Sequence, residues 1–309
     1  MTAGRPLKVG VQLPEVEYVA PWPKLLELAR AAEDVGFDSL WVGDHLQYER
    51  PLDVVGPWEA WSTLAALAAV TSRVQLGPLV ACTSFHSPPM LAKKAATVDE
   101  ISGGRLILGL GAGWNEADYT AYGFPYDRRV SRFEEAFTII RTLLREGQID
   151  FEGQFYTARD CELHPRGASD VHPNGPPLML GTTRPRMLSI AVPHIDMWNE
   201  WHDRVSNTPE GAADMSAKVT AAAIEAGREP SEIERTVTVL VRLAGGTGRA
   251  AGGEIAKPTP PLTGTPEELA RAIRAYADVG ISHVQLVLDP ITLESIEEAG
   301  RILEFLDAA

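Results

Sequence analysis

A closed (β/α)8 barrel of the α/β class, carrying insertions, is the fold this 309-residue sequence predicts. Three observations lead there. Eight short strand candidates alternate strictly with eight helical segments, which leaves the open doubly wound sheet and the closed barrel as solutions, and the count favours the barrel. The strand candidates are apolar on both faces, as in a parallel sheet covered by helices. A barrel core takes about 250 residues, so the length leaves room for insertions.

The first strand candidate is Lys8 to Leu13, closed by Pro14. Leu25, Leu28, Ala29 and Ala32 share one face of a helix from Pro23 to Val35, which Gly36 stops. Ser39 to Val42 is the second strand. A helix over Trp58 to Val70 places Trp61, Leu64, Ala65 and Ala68 inward, with Trp58 also assigned to the core. Val74 to Val80 is the third strand. Pro88 and Pro89 open the next helix, since the first turn tolerates proline, and Gly103-Gly104 ends it. Leu106 to Gly109 is the fourth strand, followed by a long loop from Gly111 to Asp127. Phe133, Phe137, Ile140 and Leu144 form the inner face of a helix from Arg128 to Arg145.

Residues 147–177 break the alternation with a hairpin and a loop rich in Pro, Gly and His. Leu178 to Leu180 is the fifth strand, Thr182 to Ala191 a short helix, and Met197-Trp198 the sixth strand. A helix over Thr208 to Ala226 precedes the seventh strand, Thr236 to Leu243. The Gly- and Pro-rich stretch 244–264 reads as a flexible loop, a candidate lid. Thr265 caps the following helix, with Pro266 at its first position and Glu268 three residues after the cap. Val284 to Leu288 is the eighth strand and Thr292 to Leu306 the last helix. No linker or repeat divides residues 1–309, so one domain is expected.

Composition narrows the function classes. Lysine and arginine number 28 against 42 acidic residues, a formal charge of −14. A chain this acidic has no electrostatic reason to bind nucleic acid or anionic lipid. Two cysteines, Cys82 and Cys161, exclude a disulfide framework and a four-cysteine zinc site. No run of 18 apolar residues and no apolar signal core occur, so a cytoplasmic globular protein is expected.

In a barrel, chemistry sits at the C-terminal ends of the strands. That rule selects Gln12 and Glu15 after the first strand, Asp44, His45 and Gln47 after the second, and Leu79, Val80, Cys82, Thr83 and His86 at the third. It adds Gly111, Gly113, Trp114, Asn115 and Glu116 after the fourth, and Gly181, Thr182, Thr183 and Arg184 after the fifth. The last three strands offer Asn199, Glu200, Trp201, His202, Arg242 and Asp289. His194 and Asp196 precede the sixth strand, which puts this apparent metal motif on the opposite rim, so no metal is expected. His164 and His172 read as part of a solvated loop. The glycines at 109, 111 and 113 are no dinucleotide fingerprint, because the next helical segment begins only at Arg128. They allow either a sharp turn or the approach of a flat ring. Gly181-Thr182-Thr183-Arg184 leads from a strand into a helix and suits phosphate, with simple capping as the plainer reading. His45 is positioned to donate a proton, or to satisfy a loop carbonyl.

Five ordered segments together resemble the bacterial luciferase-like superfamily of flavin- and deazaflavin-dependent oxidoreductases: Gly36–His45, Leu91–Arg105, Leu108–Asn115 with Tyr119, Pro177–Arg186 and Asp196–Asn199. The resemblance implies a TIM barrel with FMN or the 5-deazaflavin coenzyme F-420 across the strand ends. It implies a non-proline cis peptide near Leu79-Val80 that bends the ring, and His45 facing ring or substrate. By the same carry-over Gly111, Gly113 and Gly181 to Arg184 hold the phosphate and ribityl chain, with Asp44, Leu79, Val80, Cys82 and Trp114 lining the cofactor. Asp44-His45, rather than Glu-His-His, is similar to the deazaflavin branch. Glu49 stands where dehydrogenases of that branch often carry tryptophan, which argues against sugar-phosphate substrates. The expected function is hydride transfer to or from a small organic substrate, with His45 as catalytic residue and Glu15 and Asn115 beside it. An FMN monooxygenase fed by a separate reductase is the alternative, and a non-catalytic flavin-binding protein the second. The resemblance also suggests a homodimer.

Overall fold

The computed structural model describes residues 4–49, 53–248 and 259–308. Eight parallel staves form the barrel: β1 (Lys8–Gln12), β2 (Ser39–Val42), β3 in two pieces (Gln75–Pro78 and Ala81–Cys82), β4 (Leu108–Gly111), β5 (Leu178–Gly181), β6 (Met197–Glu200), β7 (Glu234–Arg242) and β8 (His283–Asp289). The sheet begins with the first piece of β3 and ends with the second, running through β2, β1, β8, β7, β6, β5 and β4. Its two edges are therefore one strand, and a parallel bridge from Leu76 in the first piece to Leu106, just before β4, completes the ring. Closure leaves no free sheet edge to be managed.

The outer layer is α1 (Trp22–Asp34), α2 (Ala60–Val70), α3 (Pro88–Ser102), α4 (Glu116–Tyr122), α5 (Arg129–Glu146), α6 (Pro185–Ala191), α7 (Pro209–Glu225), α8 (Pro266–Asp278) and α9 (Leu293–Asp307). Strand residues such as Val9, Val11, Leu40, Leu76 and Leu108 pack outward against these helices in one continuous core. Residues at alternate positions turn inward. Trp41, Leu79, Ile107, Met179 and Met197 form a second cluster inside the barrel.

The interior is polar elsewhere, which corrects the reading of strands apolar on both faces. Ser39 Oγ lies 2.8 Å from His283 Nε2, and Asn199 Nδ2 donates to Gln285 Oε1 at 2.7 Å. Each pair skips the strand between its members, so the contacts run through the barrel. His283 and Gln285 alternate with Val284 and Leu286, so the period-2 pattern did carry this signal.

Three boundaries differ instructively. The helix expected from Trp58 starts at Ala60, because the Glu59 carboxylate accepts from Trp61 N and Ser62 N and so caps it. Trp58 is left outside, 57% exposed, with its indole N–H on Ala20 O. The loop from Gly111 to Asp127 contains α4, ended by Gly123 in the left-handed region. The helix expected at Thr182 begins at Pro185, and its cap residue Arg184 makes no side-chain capping bond. The insertion does contain the expected hairpin, Gln148–Glu152 with Thr157–Glu162. His172 is not merely solvated: its Nδ1 lies 3.2 Å from Oδ1 of buried Asp99, tying the insertion to α3. The capping box at Thr265 and Glu268 forms as its local sequence dictates. Of the expected flexible loop, residues 249–258 lie outside the described residues.

Candidate active site

The C-terminal rim gathers the β1 and β2 loops on one side and the ends of β3, β4 and β5 on the other. On the first side the order is built by carboxylates. Glu15 is buried and accepts from Gln12 Nε2 at 2.7 Å and from Tyr48 Oη at 2.9 Å. Asp44 accepts from Cys82 N at 2.8 Å and faces His86 Nε2 at 3.1 Å, so it joins the β2 loop to β3.

His45 Nδ1 lies 2.8 Å from Oδ2 of Asp118, a fully buried residue of α4. The other oxygen of Asp118 accepts from Leu46 N at 3.1 Å and Gln47 N at 2.7 Å. Asn115 Nδ2 donates to Gln47 O at 2.9 Å. The segment 45–47 is thus gripped by α4 through both its donors and an acceptor. Burial lowers the proton affinity of His45, but the Asp118 hydrogen bond and the charges of Glu15, Asp118 and Asp44 outweigh it, and its pKa is held above the ordinary value. Tyr48 and Trp114 flank the imidazole at ring distances of 4.7 and 5.3 Å, and Trp114 is 39% exposed.

The second side is shaped by one valine. The Leu79-Val80 peptide, between the two pieces of β3, is cis, where the family resemblance puts such a bond. A Cβ on Gly111 would lie 2.8 Å from Val80 Cγ2, and one on Gly181 would lie 2.9 Å from both Val80 methyls. Gly109 gives way to the same side chain. These glycines therefore make room for Val80, whose methyls fill the space that their side chains would take. Gly113 has φ +71°, and a Cβ there would meet Tyr119 Oη and Cys82 Sγ. Cys82 Sγ lies 3.0 Å from Tyr119 Oη, and burial pushes the thiol pKa up to about 12, so it is no nucleophile. Leu79 belongs to the interior cluster.

After β5, Thr182 Oγ1 accepts from Arg184 N, and Thr183 Oγ1 donates to Glu200 Oε2 at 2.8 Å. Burial raises the Glu200 pKa, against the opposing Thr183 hydrogen bond. The Arg184 side chain is exposed and bonded to none of the described residues. His202 is buried against Trp201, while Arg242 pairs with Asp289 at 3.1 Å beside β7 and β8. Asp196, on the opposite rim, accepts from Leu178 N and pairs with Arg145. No cluster of metal-ligating side chains occurs among the described residues, and none of their helices is long and apolar enough to cross a membrane.

The structure thus brings together Glu15, Asp44, His45, Trp114 and Asn115, and separately Val80, Cys82, Gly111, Gly113 and Gly181. Sequence reasoning missed Asp118, because α4 offers only Tyr119 as a buried apolar residue and shows no helical periodicity.

A family model described as luciferase-like monooxygenase matches residues 7–251. The F420-dependent glucose-6-phosphate dehydrogenase of Kineococcus radiotolerans is 38% identical over 178 residues, 55% of this chain and 50% of that protein. The pyrimidine monooxygenase RutA of Cronobacter turicensis is 34% identical over 175 residues, 55% of this chain and 44% of that one. The chain spans about half the length of these curated relatives. Among solved structures, an F420-dependent secondary alcohol dehydrogenase in complex with an F420-acetone adduct superposes with a TM-score of 0.77 at 19% identity, covering 96% of this chain and 99% of that one. At that identity the likeness is one of fold.

Proposed function

The chain belongs to the luciferase-like monooxygenase family, and on that footing we propose that it is an oxidoreductase using the deazaflavin coenzyme F-420 for hydride transfer to or from a small organic substrate. The observation that carries the proposal is the divided rim: a half-buried histidine paired with a buried carboxylate on the β2 side, and on the β5 side Val80 flanked by glycines with an exposed arginine beyond it. The β5 side suits the coenzyme. Gly111 and Gly181 leave Val80 as the wall against which a flat ring would lie, and the Thr182 hydroxyl and the Arg184 guanidinium offer donors to an anionic chain, the Thr183 hydroxyl being engaged by Glu200. A bound deazaflavin supplies a carbon centre that exchanges hydride, where a flavin nitrogen would also permit oxygen chemistry.

The chain's own residues supply positioning and a proton. His45, held above its ordinary pKa by the surrounding carboxylates, serves as the proton donor or acceptor. Glu15 acts beside it, and Trp114 and Tyr48 wall the substrate's place. Asn115 holds the segment that carries His45. Similarity to an F420-dependent dehydrogenase supports this reading. The same reading takes residues 1–309 as one domain.

Titration of the purified protein with each cofactor is the test. Micromolar affinity for the deazaflavin with weak FMN binding is expected. Micromolar FMN binding with none for the deazaflavin would overturn the choice. It would favour a monooxygenase fed by a separate flavin reductase, the second reading, which the similarity to RutA supports.

A further inference from the structure

We propose that Asp118 is the positioning residue of this site: it fixes His45 as the Nδ1–H tautomer, so that Nε2 is the ring atom that exchanges a proton with the substrate. The inference rests on the reading of His45 as the acid–base residue and adds what sets its protonation geometry. An ionised carboxylate only accepts hydrogen bonds, so at 2.8 Å from Asp118 Oδ2 the His45 Nδ1 must carry the proton. The carboxylate cannot turn away to accommodate the other tautomer, because Oδ1 is held by two backbone donors, Leu46 N and Gln47 N. Those donors belong to the residues that follow His45, so one buried side chain fixes both the ring and the backbone beneath it. The second nitrogen of an imidazole takes its role from the bond the first one makes.

The groups facing His45 are Glu15 from the β1 loop, Asp44 and Tyr48 from the β2 loop, Trp114 after β4 and Asp118 from α4. Among the described residues only Asp118 bonds the ring directly. Glu15 is engaged by Gln12 and Tyr48, and Asp44 by Cys82 N and His86.

Nitrogen-15 NMR of the histidine side chains tests this on the protein alone, with His45 assigned by loss of its signals in His45→Gln. In the unsubstituted chain, above the His45 pKa, the expected spectrum shows protonated Nδ1 and bare Nε2. In Asp118→Asn the amide N–H₂ faces Nδ1 while the amide oxygen keeps the two backbone bonds. The tautomer then inverts, and the imidazole's proton affinity falls about tenfold. Turnover in that variant falls and its pH profile moves to lower pH, whereas Asp118→Glu retains the tautomer and recovers part of the rate. An Nε2–H tautomer in the unsubstituted chain overturns the proposal, and that measurement does not depend on any Asp118 variant folding. An unchanged tautomer in Asp118→Asn overturns it equally. Failure of the deazaflavin titration would leave these spectra as expected and refute only the choice of cofactor.

Discussion

Gly111 and Val80 allow a quantitative test of how this side of the rim is packed. A Cβ on Gly111 meets a single atom within 4 Å, Val80 Cγ2 at 2.8 Å, about an ångström inside ordinary carbon–carbon contact. Valine is stiff at χ1, and its methyls also fill the spaces at Gly109 and Gly181, so it has nowhere to turn. Gly111→Ala therefore overpacks the site at a cost of about 1–3 kcal/mol. Val80→Ala removes two partly buried methyl groups, about 1 kcal/mol when roughly half of the full transfer value is realised. With those methyls gone, alanine at 111 meets nothing and restricts the unfolded chain, a gain of about 0.4–1 kcal/mol. The double variant should be no less stable than Val80→Ala alone, giving a coupling of about 1.4–4 kcal/mol in a double-mutant cycle. Urea unfolding with the m-value held constant reads it. Additive costs would refute the reasoning, since the strain at Gly111 would then lie elsewhere than against Val80.

Three further expectations follow from other parts of the molecule. A thiol reagent at pH 8 should label half-buried Cys161 and spare Cys82 until the protein unfolds, because burial pushes the Cys82 pKa up to about 12; labelling of native Cys82 would contradict this. His283 has its pKa pushed down to about 3 by burial and by Lys8, so between pH 6.5 and 3 the unfolded chain takes up a proton that the folded one refuses. Its contribution is present above pH 6.5 and lost as pH falls, at up to about 1.4 kcal/mol per pH unit; His283→Gln should flatten the acid limb of stability against pH, and an unchanged slope would exclude it as the cause. On the proposed function, Arg184→Glu should weaken deazaflavin binding about tenfold, or ~1.4 kcal/mol, and reduce its salt dependence; unchanged affinity would remove Arg184 from the cofactor site.

What was legible in the sequence is what depends on neighbours along the chain. The strands are short apolar runs between turn residues, and the capping box at Thr265 and Glu268 spans three positions. Arg105 shows the opposite case. Its guanidinium donates to Ala68 O, Thr71 O and Val74 O, closing the turn between α2 and β3. Nothing local marks it. The same holds at the site. Rim position follows from strand order, so Glu15, Asp44, His45 and Trp114 could be nominated. Asp118 meets His45 across 73 positions of sequence, and no periodicity in a seven-residue helix announces it. The glycines at 109, 111 and 181 were visible as glycines, but their common neighbour Val80 follows only from closure of the barrel.

The net charge of −14 sets the last constraint, because the proposed cofactors are anions. Local cations must hold them, and several arginines near the rim are already engaged. Arg129 donates to Gly113 O and lies over Tyr126; Arg132 pairs with Asp127 and lies over Phe155. Among the described residues, Arg184 and Arg128 are exposed with no bond to another side chain. Both lie beyond β4, whereas Glu15, Asp44 and Asp118 gather around His45. Charged groups are thus unevenly placed across the mouth, with three carboxylates around His45 and the exposed guanidinium of Arg184 after β5. On the proposed function, an anionic chain entering this mouth would be repelled from the His45 end and drawn to the Arg184 end, which would set its direction before any specific contact forms. The carboxylates that impose this direction also hold the imidazole above its ordinary pKa. On the proposed function, one cluster of acids would thereby orient the charged end of the cofactor away from the substrate and keep a proton available beside it.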